Sequence, residues 1–179
     1  MQVKHVGRAT IATALLTVAS AGSVHAAPIA ATKVYHNAAF AYSISYPSSW
    51  SVVTSTGTAG TVAIVLPSKK AGIIIGAHKA VGAVTVAALQ RGATQTFSGL
   101  SKKEFNVKRG QTTIGGVLFQ TLSADIQTKG GMMASGQVYV GVHKKTVYVL
   151  LGDILVTGNT RAAADRAAVL SSITTTTFS

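Results

Sequence analysis

Apolar and polar residues alternate along several stretches of this chain, which is the pattern of half-buried β-strands. Around the first of them, Phe40, Tyr42, Ile44 and Tyr46 fall on one side, and small or polar residues fall on the other. A period of two turns one face of a strand towards a core and the other towards solvent. Further strands are predicted over residues 61–66, 72–78, 103–108, 111–126, 132–143 and 146–151.

In two places the apolar spacing changes to three or four residues, which predicts helices. The first helix covers residues 86–100, with Thr85 as its N-cap. The second covers about residues 160–173 and follows Asn159, which can cap it. The predicted buried positions are Val86, Leu89, Ala93, Phe97 and Leu100 in the first helix, and Ala163, Ala167 and Leu170 in the second.

Short turn signals separate the strands and fix their direction. Turns are predicted at 67–71, 129–131 and 144–145, and Gly115-Gly116 is predicted to be a bulge inside one long strand. Strands joined by short turns run antiparallel, and the helices need an apolar sheet face to cover. We therefore expect an α+β fold with about six to seven antiparallel strands in one sheet, flanked by two helices.

The N-terminus has the pattern of a secretory signal peptide. Lys4 and Arg8 precede an apolar stretch over 9–24, and small residues surround Ala26. A membrane anchor is the alternative, but a spanning helix needs roughly 20 consecutive apolar residues, and this stretch is shorter and interrupted. We expect a signal peptide over 1–26, a linker over 27–39 and one domain over 40–179. Because the chain contains no cysteine, we expect no lipid-modified N-terminus and hence a secreted or periplasmic protein.

Charge is the most unusual feature of the composition. The whole chain has 16 Lys and Arg but only 4 Asp and Glu, for a net charge of +12, or +10 after removal of Lys4 and Arg8. Three explanations stay open. The charge could attract an anionic partner, or it could simply keep the protein soluble. The third is an acidic exterior, where protonation removes the contribution of paired carboxylates to stability and few acids are therefore an advantage.

Motifs that would support catalysis or cofactor binding are missing from the sequence. The histidines after the leader are His36, His78 and His143, with no Gly-x-Ser-x-Gly elbow and no metal-ligand spacing. Phosphate-binding glycine motifs are also absent, and four scattered acids rarely form a catalytic pair. We predict no catalytic, cofactor-binding or metal-binding residues, and a protein that is not an enzyme.

Basic dipeptides supply the one candidate binding site. Lys108-Arg109 and Lys144-Lys145 are predicted to lie at turns two apart in an up-and-down meander, which would place Lys108, Arg109, Lys144 and Lys145 on one rim of the sheet. Such a rim could bind an anionic polymer with strong salt dependence. The alternative is ordinary solvated turn lysines. Because aromatic residues are not interleaved with the cations, no sequence-specific nucleic-acid binding is expected.

Several of these features together resemble the PsbP-like family, named for an extrinsic subunit of photosystem II and including bacterial envelope proteins. The resemblance rests on the opening Phe40–Trp50 segment with its Tyr46-Pro47, the mid-chain helix, Gly116 with Phe119, the hairpin through Tyr139 and Tyr148, and the last helix leading to Phe178. It implies an antiparallel sheet flanked by helices and no shared catalytic residues. With four acids, a metal-linked role like that of photosynthetic members is not expected.

Three functions follow in order of preference. The first is an exported, non-enzymatic binding or accessory protein that meets an anionic envelope polymer or surface through its basic turn edge. The second is a structural or chaperone-like subunit that docks onto another envelope protein through a sheet face. The weakest is a hydrolase whose site is not evident in the sequence.

Overall fold

The computed structural model describes residues 31–54 and 60–179. The predicted signal peptide and the first part of the predicted linker lie outside these residues. The elements, in chain order, are β1 (Thr32–Asn37), β2 (Tyr42–Pro47), β3 (Ser51–Thr54), β4 (Val62–Val65), β5 (Ala71–Lys79), α1 (Val86–Leu100), β6 (Ser101–Ile114), β7 (Val117–Thr128), β8 (Met133–His143), β9 (Thr146–Leu155), α2 (Ala162–Thr174) and β10 (Thr177–Phe178).

A seven-stranded antiparallel sheet forms the centre of the fold, as predicted. Its strand order is β3-β4-β5-β9-β8-β7-β6, so β3 and β6 are the two edges. The strands from β6 to β9 form a meander in which each pairs with its sequence neighbour, and β9 then pairs with β5. The meander was anticipated from the turn signals at 129–131 and 144–145.

A second, three-stranded sheet holds the segment that was expected to open the main sheet. Its order is β1-β2-β10, so the Tyr42–Pro47 strand pairs with β1 and with the C-terminal β10. The predicted linker over 27–39 therefore contains a strand, which gains its stability from pairing with β2. Tyr148 ties the two sheets together, since its hydroxyl donates a hydrogen bond of 2.6 Å to the carbonyl oxygen of Phe40.

The two helices lie on opposite faces of the large sheet. Leu89, Ala93 and Phe97 of α1 share a buried cluster with Val138 and other side chains of β7, β8 and β9. Val169 and Ile173 of α2 belong to a separate cluster, which includes alternate side chains of β9 and the inner face of the small sheet. The fold thus has three layers: α1, the seven-stranded sheet, and α2 beside the small sheet.

Two glycines let the helices approach the sheet closely from its two sides. A Cβ on Gly136 of β8 would lie 2.8 Å from Cε1 of Phe97, and a Cβ on Gly152 of β9 would lie 2.7 Å from Cγ1 of Val169. Both distances are well inside ordinary contact between carbon atoms. Either helix would have to move if the glycine beneath it gained a side chain.

The predicted bulge at Gly115-Gly116 is instead the turn of the β6–β7 hairpin. Both residues have positive φ, 53° and 78°, which is the backbone of a two-residue type I′ turn. Gly-Gly suits such a turn as well as it suits a bulge, and the uninterrupted alternation around it concealed the reversal. The bulge lies earlier in β6, between Phe105 and Lys108, where Asn106 has a φ of 51°.

The bounds, the cap and the central buried positions of the first helix were predicted correctly, but Val86 and Leu100 at its two ends, predicted to be buried, are 52% and 42% exposed. The buried side of the second helix was predicted less well. Thr85 caps α1, its Oγ1 accepting a hydrogen bond of 3.2 Å from the Ala88 N–H. In α2 the predicted stripe is wrong at Ala163 and Ala167, which are exposed, whereas Leu170 packs partly buried against the core. The fully buried residues are Asp165, Val169, Ser172 and Ile173. Alanine is apolar enough for either side of a helix, so an alanine-rich segment does not determine which face is covered.

Candidate anion-binding surfaces

Basic side chains in this structure are almost entirely without carboxylate partners. Lys4 and Arg8 precede the described residues, which leaves 14 of the chain's 16 cations. Of these, Arg166 alone among the described residues lies within the 4.0 Å ion-pair distance of a carboxylate, that of Asp125. The surface therefore presents a positive field that intramolecular pairing leaves intact.

Lys144 and Lys145 form the β8–β9 turn, as predicted. Both are exposed and both have positive φ, 45° and 63°, in a two-residue turn between His143 and Thr146. Lys79 lies at the same end of the sheet, because it pairs with Thr146 and donates a hydrogen bond of 3.0 Å from Nζ to the Thr146 Oγ1. Three lysines thus share this end.

Lys108 and Arg109 do not join them, which corrects the predicted rim. Both lie within β6, where Lys108 is in register with Ser123 and through it with Gln137. Gln137 precedes the Lys144 turn by seven residues, which at the rise of a strand is about 23 Å. The prediction failed because the turn that shares an end with Lys144-Lys145 is Gly115-Gly116.

The other end of the sheet holds a row of five lysines that the turn signals alone do not bring together. Lys69 and Lys70 lie on the β4–β5 turn, Lys129 on the β7–β8 turn, and two more at the start of β6. Backbone pairing aligns these segments at one end of the sheet. Leu155 N–H of β9 donates to Lys70 O at 2.6 Å, Thr128 N–H donates to Met132 O at 2.8 Å within the turn that carries Lys129, and Lys103 is in register with Gln127. We call Lys69, Lys70, Lys102, Lys103 and Lys129 the basic row.

Its length follows from the strand order. From β5 to β6 there are four inter-strand steps, which amount to about 19 Å. This is about twice the screening length of charge at physiological salt, so the two ends of the row repel each other little and an extended polyanion can contact both. Four of the five lysines are exposed and Lys70 is half-buried.

Polar neighbours, and not the lysines of the basic row, hold the acidic side chains. Asp165 is buried, and the other three acids are partly buried. Glu104, the acid next to the basic row in sequence, accepts hydrogen bonds of 3.4 Å from Ser98 and 3.1 Å from Ser101. Asn159 donates to Asp165 at 3.0 Å. Within the described residues, no acid forms an ion pair with the basic row.

The β6 bulge creates a polar cluster beside α2. Asn106 donates a hydrogen bond of 2.9 Å to Asp125, which is the main cause that lowers the pKa of that carboxyl, with Ser135 and Arg166 adding to it. Arg166 also donates to the Ser135 hydroxyl. Next to this cluster, a cleft of about 510 Å³ is lined partly by Phe105, Met133, Ala134 and Val156.

Histidines, which a hydrolase would need, lie apart from the acids. Among the described residues, His36 makes the one histidine–serine hydrogen bond, 2.8 Å from Nδ1 to the Ser43 Oγ, and this is an exposed cross-strand pair. His143 lies near Phe178, with ring centroids 6.5 Å apart and ring planes tilted by 46°. No histidine in the described ranges is hydrogen-bonded to a carboxylate.

Neither helix of the described ranges has the length and apolar character that a transmembrane span requires.

Comparison with known proteins identifies the architecture. No family model matches the chain, and no curated protein matches its sequence. The solution structure of cyanobacterial PsbP (CyanoP) from Synechocystis sp. PCC 6803 superposes with a TM-score of 0.62 at 14% identity, over 90% of this chain and 99% of that one. The chain has the PsbP-like fold.

Two further structures share this PsbP-like fold. LpqN, involved in cell envelope biogenesis of Mycobacterium tuberculosis, matches with a TM-score of 0.52 at 16% identity, over 87% of each chain. A protein of Bacteroides thetaiotaomicron VPI-5482 matches with a TM-score of 0.54 at 14% identity, over 82% of this chain and 48% of its own. Identities this low establish the fold and leave the function to be argued from the surface.

Proposed function

We propose that this PsbP-like protein is an exported, non-enzymatic binding or accessory protein that contacts an anionic component of the cell envelope through the basic row. The signal peptide predicted over residues 1–26 supports export. LpqN, a protein of the same fold, is involved in envelope biogenesis, which supports the choice of compartment. The observation that carries the proposal is the convergence of five lysines from three separate segments, none of which forms an ion pair with a carboxylate among the described residues.

A row of this kind fits a flexible phosphate-bearing polymer. Five cations spread over about 19 Å can each neutralise one phosphate, and release of condensed counterions then drives binding. Affinity should therefore fall steeply as salt rises, with a log–log slope near −3.5 if all five lysines take part, at about −0.7 per phosphate on a single strand. No substrate chemistry is required of the protein.

The test compares charge reversal at the two ends of the sheet. Binding of long-chain polyphosphate is measured by calorimetry over a series of salt concentrations, for the exported protein and two double variants. Lys102→Glu with Lys103→Glu should weaken binding about tenfold or more at low salt and flatten the slope. Lys144→Glu with Lys145→Glu is the matched control, because it changes the charge equally at the other end. Equal losses in the two variants would contradict a localised row.

A docking subunit is the second candidate function, and one observation favours it. Helix α1 packs on β6, β7 and β8, so the same face of β3, β4 and β5 has no helix above it among the described residues. Val53 and Ile74 are 56% and 42% exposed on this face, with Ala63 between them in register. An apolar sheet face of this kind can receive another protein. Cross-linking in the native envelope should then depend on Ile74 and not on the lysines.

A further inference from the structure

The connection between β5 and α1 is an apolar loop whose middle, residues 81–83, is exposed, while Ala80 and Val84 pack partly buried against the α1 cluster. Residues 80–84 read Ala-Val-Gly-Ala-Val and carry no polar side chain, and Val81 is fully exposed at 101%. Val86, the first residue of α1, is 52% exposed. Isolated exposed valines are common on protein surfaces, but five successive residues without a polar side chain before the Thr85 cap are not what a solvated loop needs. We call residues 80–84 the apolar loop.

Lysines flank this loop on both sides. Lys79 precedes it, and the Ala80 N–H donates a hydrogen bond of 2.8 Å to the carbonyl oxygen of Lys145. The loop therefore sits directly against the Lys144-Lys145 turn. A recess of about 530 Å³ lies between them, with walls from the loop, Val142 and Lys145.

The acids lie away from this end of the sheet. Glu104 is near the start of β6 at the far end, and Asp165 is in the first turn of α2. Asp125 and Asp153 lie eight and seven residues into strands that begin at this end, which is more than roughly 20 Å away. Unlike the basic row, this end joins cations to an apolar surface and has no acid beside it.

The Lys144-Lys145 turn itself is unusual. A type I′ hairpin turn favours Asn and Gly, because both central residues adopt positive φ. Lysine is disfavoured there, so the turn geometry does not account for the pair. Residues held in sparsely populated backbone regions are often retained for function.

An apolar segment bordered by cations matches the surface of an anionic bilayer. Apolar side chains gain free energy in the acyl region, while flanking lysines meet anionic headgroups. A soluble polyanion would use the lysines and derive nothing from the valines. We propose that the apolar loop, together with Lys79, Lys144 and Lys145, docks the protein on an anionic lipid bilayer. This goes beyond the polymer-binding function, which uses the opposite end and would leave this end free.

The experiment measures co-sedimentation of the exported protein with vesicles. Vesicles of phosphatidylcholine alone are compared with vesicles of phosphatidylcholine and phosphatidylglycerol in equal amounts. The protein should bind the second kind and not the first. Val81→Asp should weaken binding roughly tenfold or more, since the side chain can no longer enter the apolar region. Val34→Asp, at an exposed valine of β1, is the matched control and should bind like the unmodified protein.

A second variant separates charge from folding. Lys144→Asn with Lys145→Gly removes both cations and installs the residues that the turn prefers, so the hairpin is retained. We expect a loss of vesicle binding of about 25-fold, taking about fivefold for each lysine near the surface. Lys102→Glu with Lys103→Glu should leave vesicle binding unchanged, and Val81→Asp should leave polyphosphate binding unchanged. These two results keep the failure of one proposal distinct from the failure of the other.

Two outcomes would overturn the bilayer proposal. One is equal sedimentation with both kinds of vesicle. The other is Val81→Asp behaving like Val34→Asp, which would leave the loop as an interface for a protein or as plain surface.

Discussion

The close approach of both helices to glycines on the central sheet is a direct consequence of the architecture, and it can be tested by adding one carbon atom. In Gly152→Ala the new Cβ would lie 2.7 Å from Cγ1 of Val169 and 3.0 Å from Cδ1 of Ile173. Carbon atoms in good contact are about 3.5–4.0 Å apart, so an overlap near 1 Å must be relieved by moving α2 or its side chains.

Overpacking of this kind costs about 1–3 kcal/mol of unfolding free energy. Replacing glycine in a strand returns about 0.5–1 kcal/mol through lower chain entropy. We expect Gly152→Ala to lose about 1–2 kcal/mol net. Gly136→Ala should lose a similar amount, because its Cβ would lie 2.8 Å from the rigid ring of Phe97. For a domain of this size each kcal/mol lowers Tm by about 2–4 °C.

Gly76→Ala in β5 is the matched control. Its nearest atom is the Thr61 Oγ1 at 4.0 Å, so it should be neutral or stabilised by up to about 1 kcal/mol. Guanidinium unfolding followed by circular dichroism gives all three values. A Gly152→Ala protein that is as stable as Gly76→Ala would refute the position of α2, and the same result for Gly136→Ala would refute that of α1.

Further predictions concern single groups. Burial raises the pKa of the Asp153 carboxyl above its usual 3.8, so the native state holds this proton more tightly and stability falls as pH rises through the raised pKa. Asp153→Asn should therefore stabilise the protein at pH 7 and have little effect at pH 3, as thermal melts would show; stabilisation at pH 3 alone would contradict this. Tyr148→Phe should lose about 0.5–1.5 kcal/mol, because the Phe40 carbonyl loses its partner; an unchanged urea midpoint would argue against that bond. Lys144→Asn with Lys145→Gly should raise Tm, because both residues then suit positive φ, and a lower Tm would count against the type I′ turn.

Most of the fold could be predicted, because the spacing of apolar residues and the residues that favour turns are local properties of the sequence. The alternation through Tyr42, Ile44 and Tyr46 identified a strand whose three aromatic or aliphatic side chains are indeed buried. The spacing around Leu89, Ala93 and Phe97 identified the buried side of α1. What a period cannot supply is the partner of a strand, and so the sheet to which β2 belongs was misassigned.

The candidate binding site was harder to predict than the fold, because its position depends on which turns share an end of the sheet. Because Gly115-Gly116 was taken for a bulge and not for a turn, Lys108 and Arg109 were predicted to lie at a turn, although they lie in the middle of β6. The same reasoning about alternate turns, applied to Lys69-Lys70 and Lys129, would have brought the basic row together. That step also needs the long-range pairing of β5 with β9, which no local pattern encodes.

A map of backbone amide chemical shifts, recorded while the chain from residue 27 onwards is titrated with polyphosphate, shows which lysines the polyanion contacts. We expect the largest shifts at residues 69–70, 102–103 and 129, at one end of the seven-stranded sheet. Shifts confined to residues 144–145, or spread evenly over every exposed lysine, would contradict it.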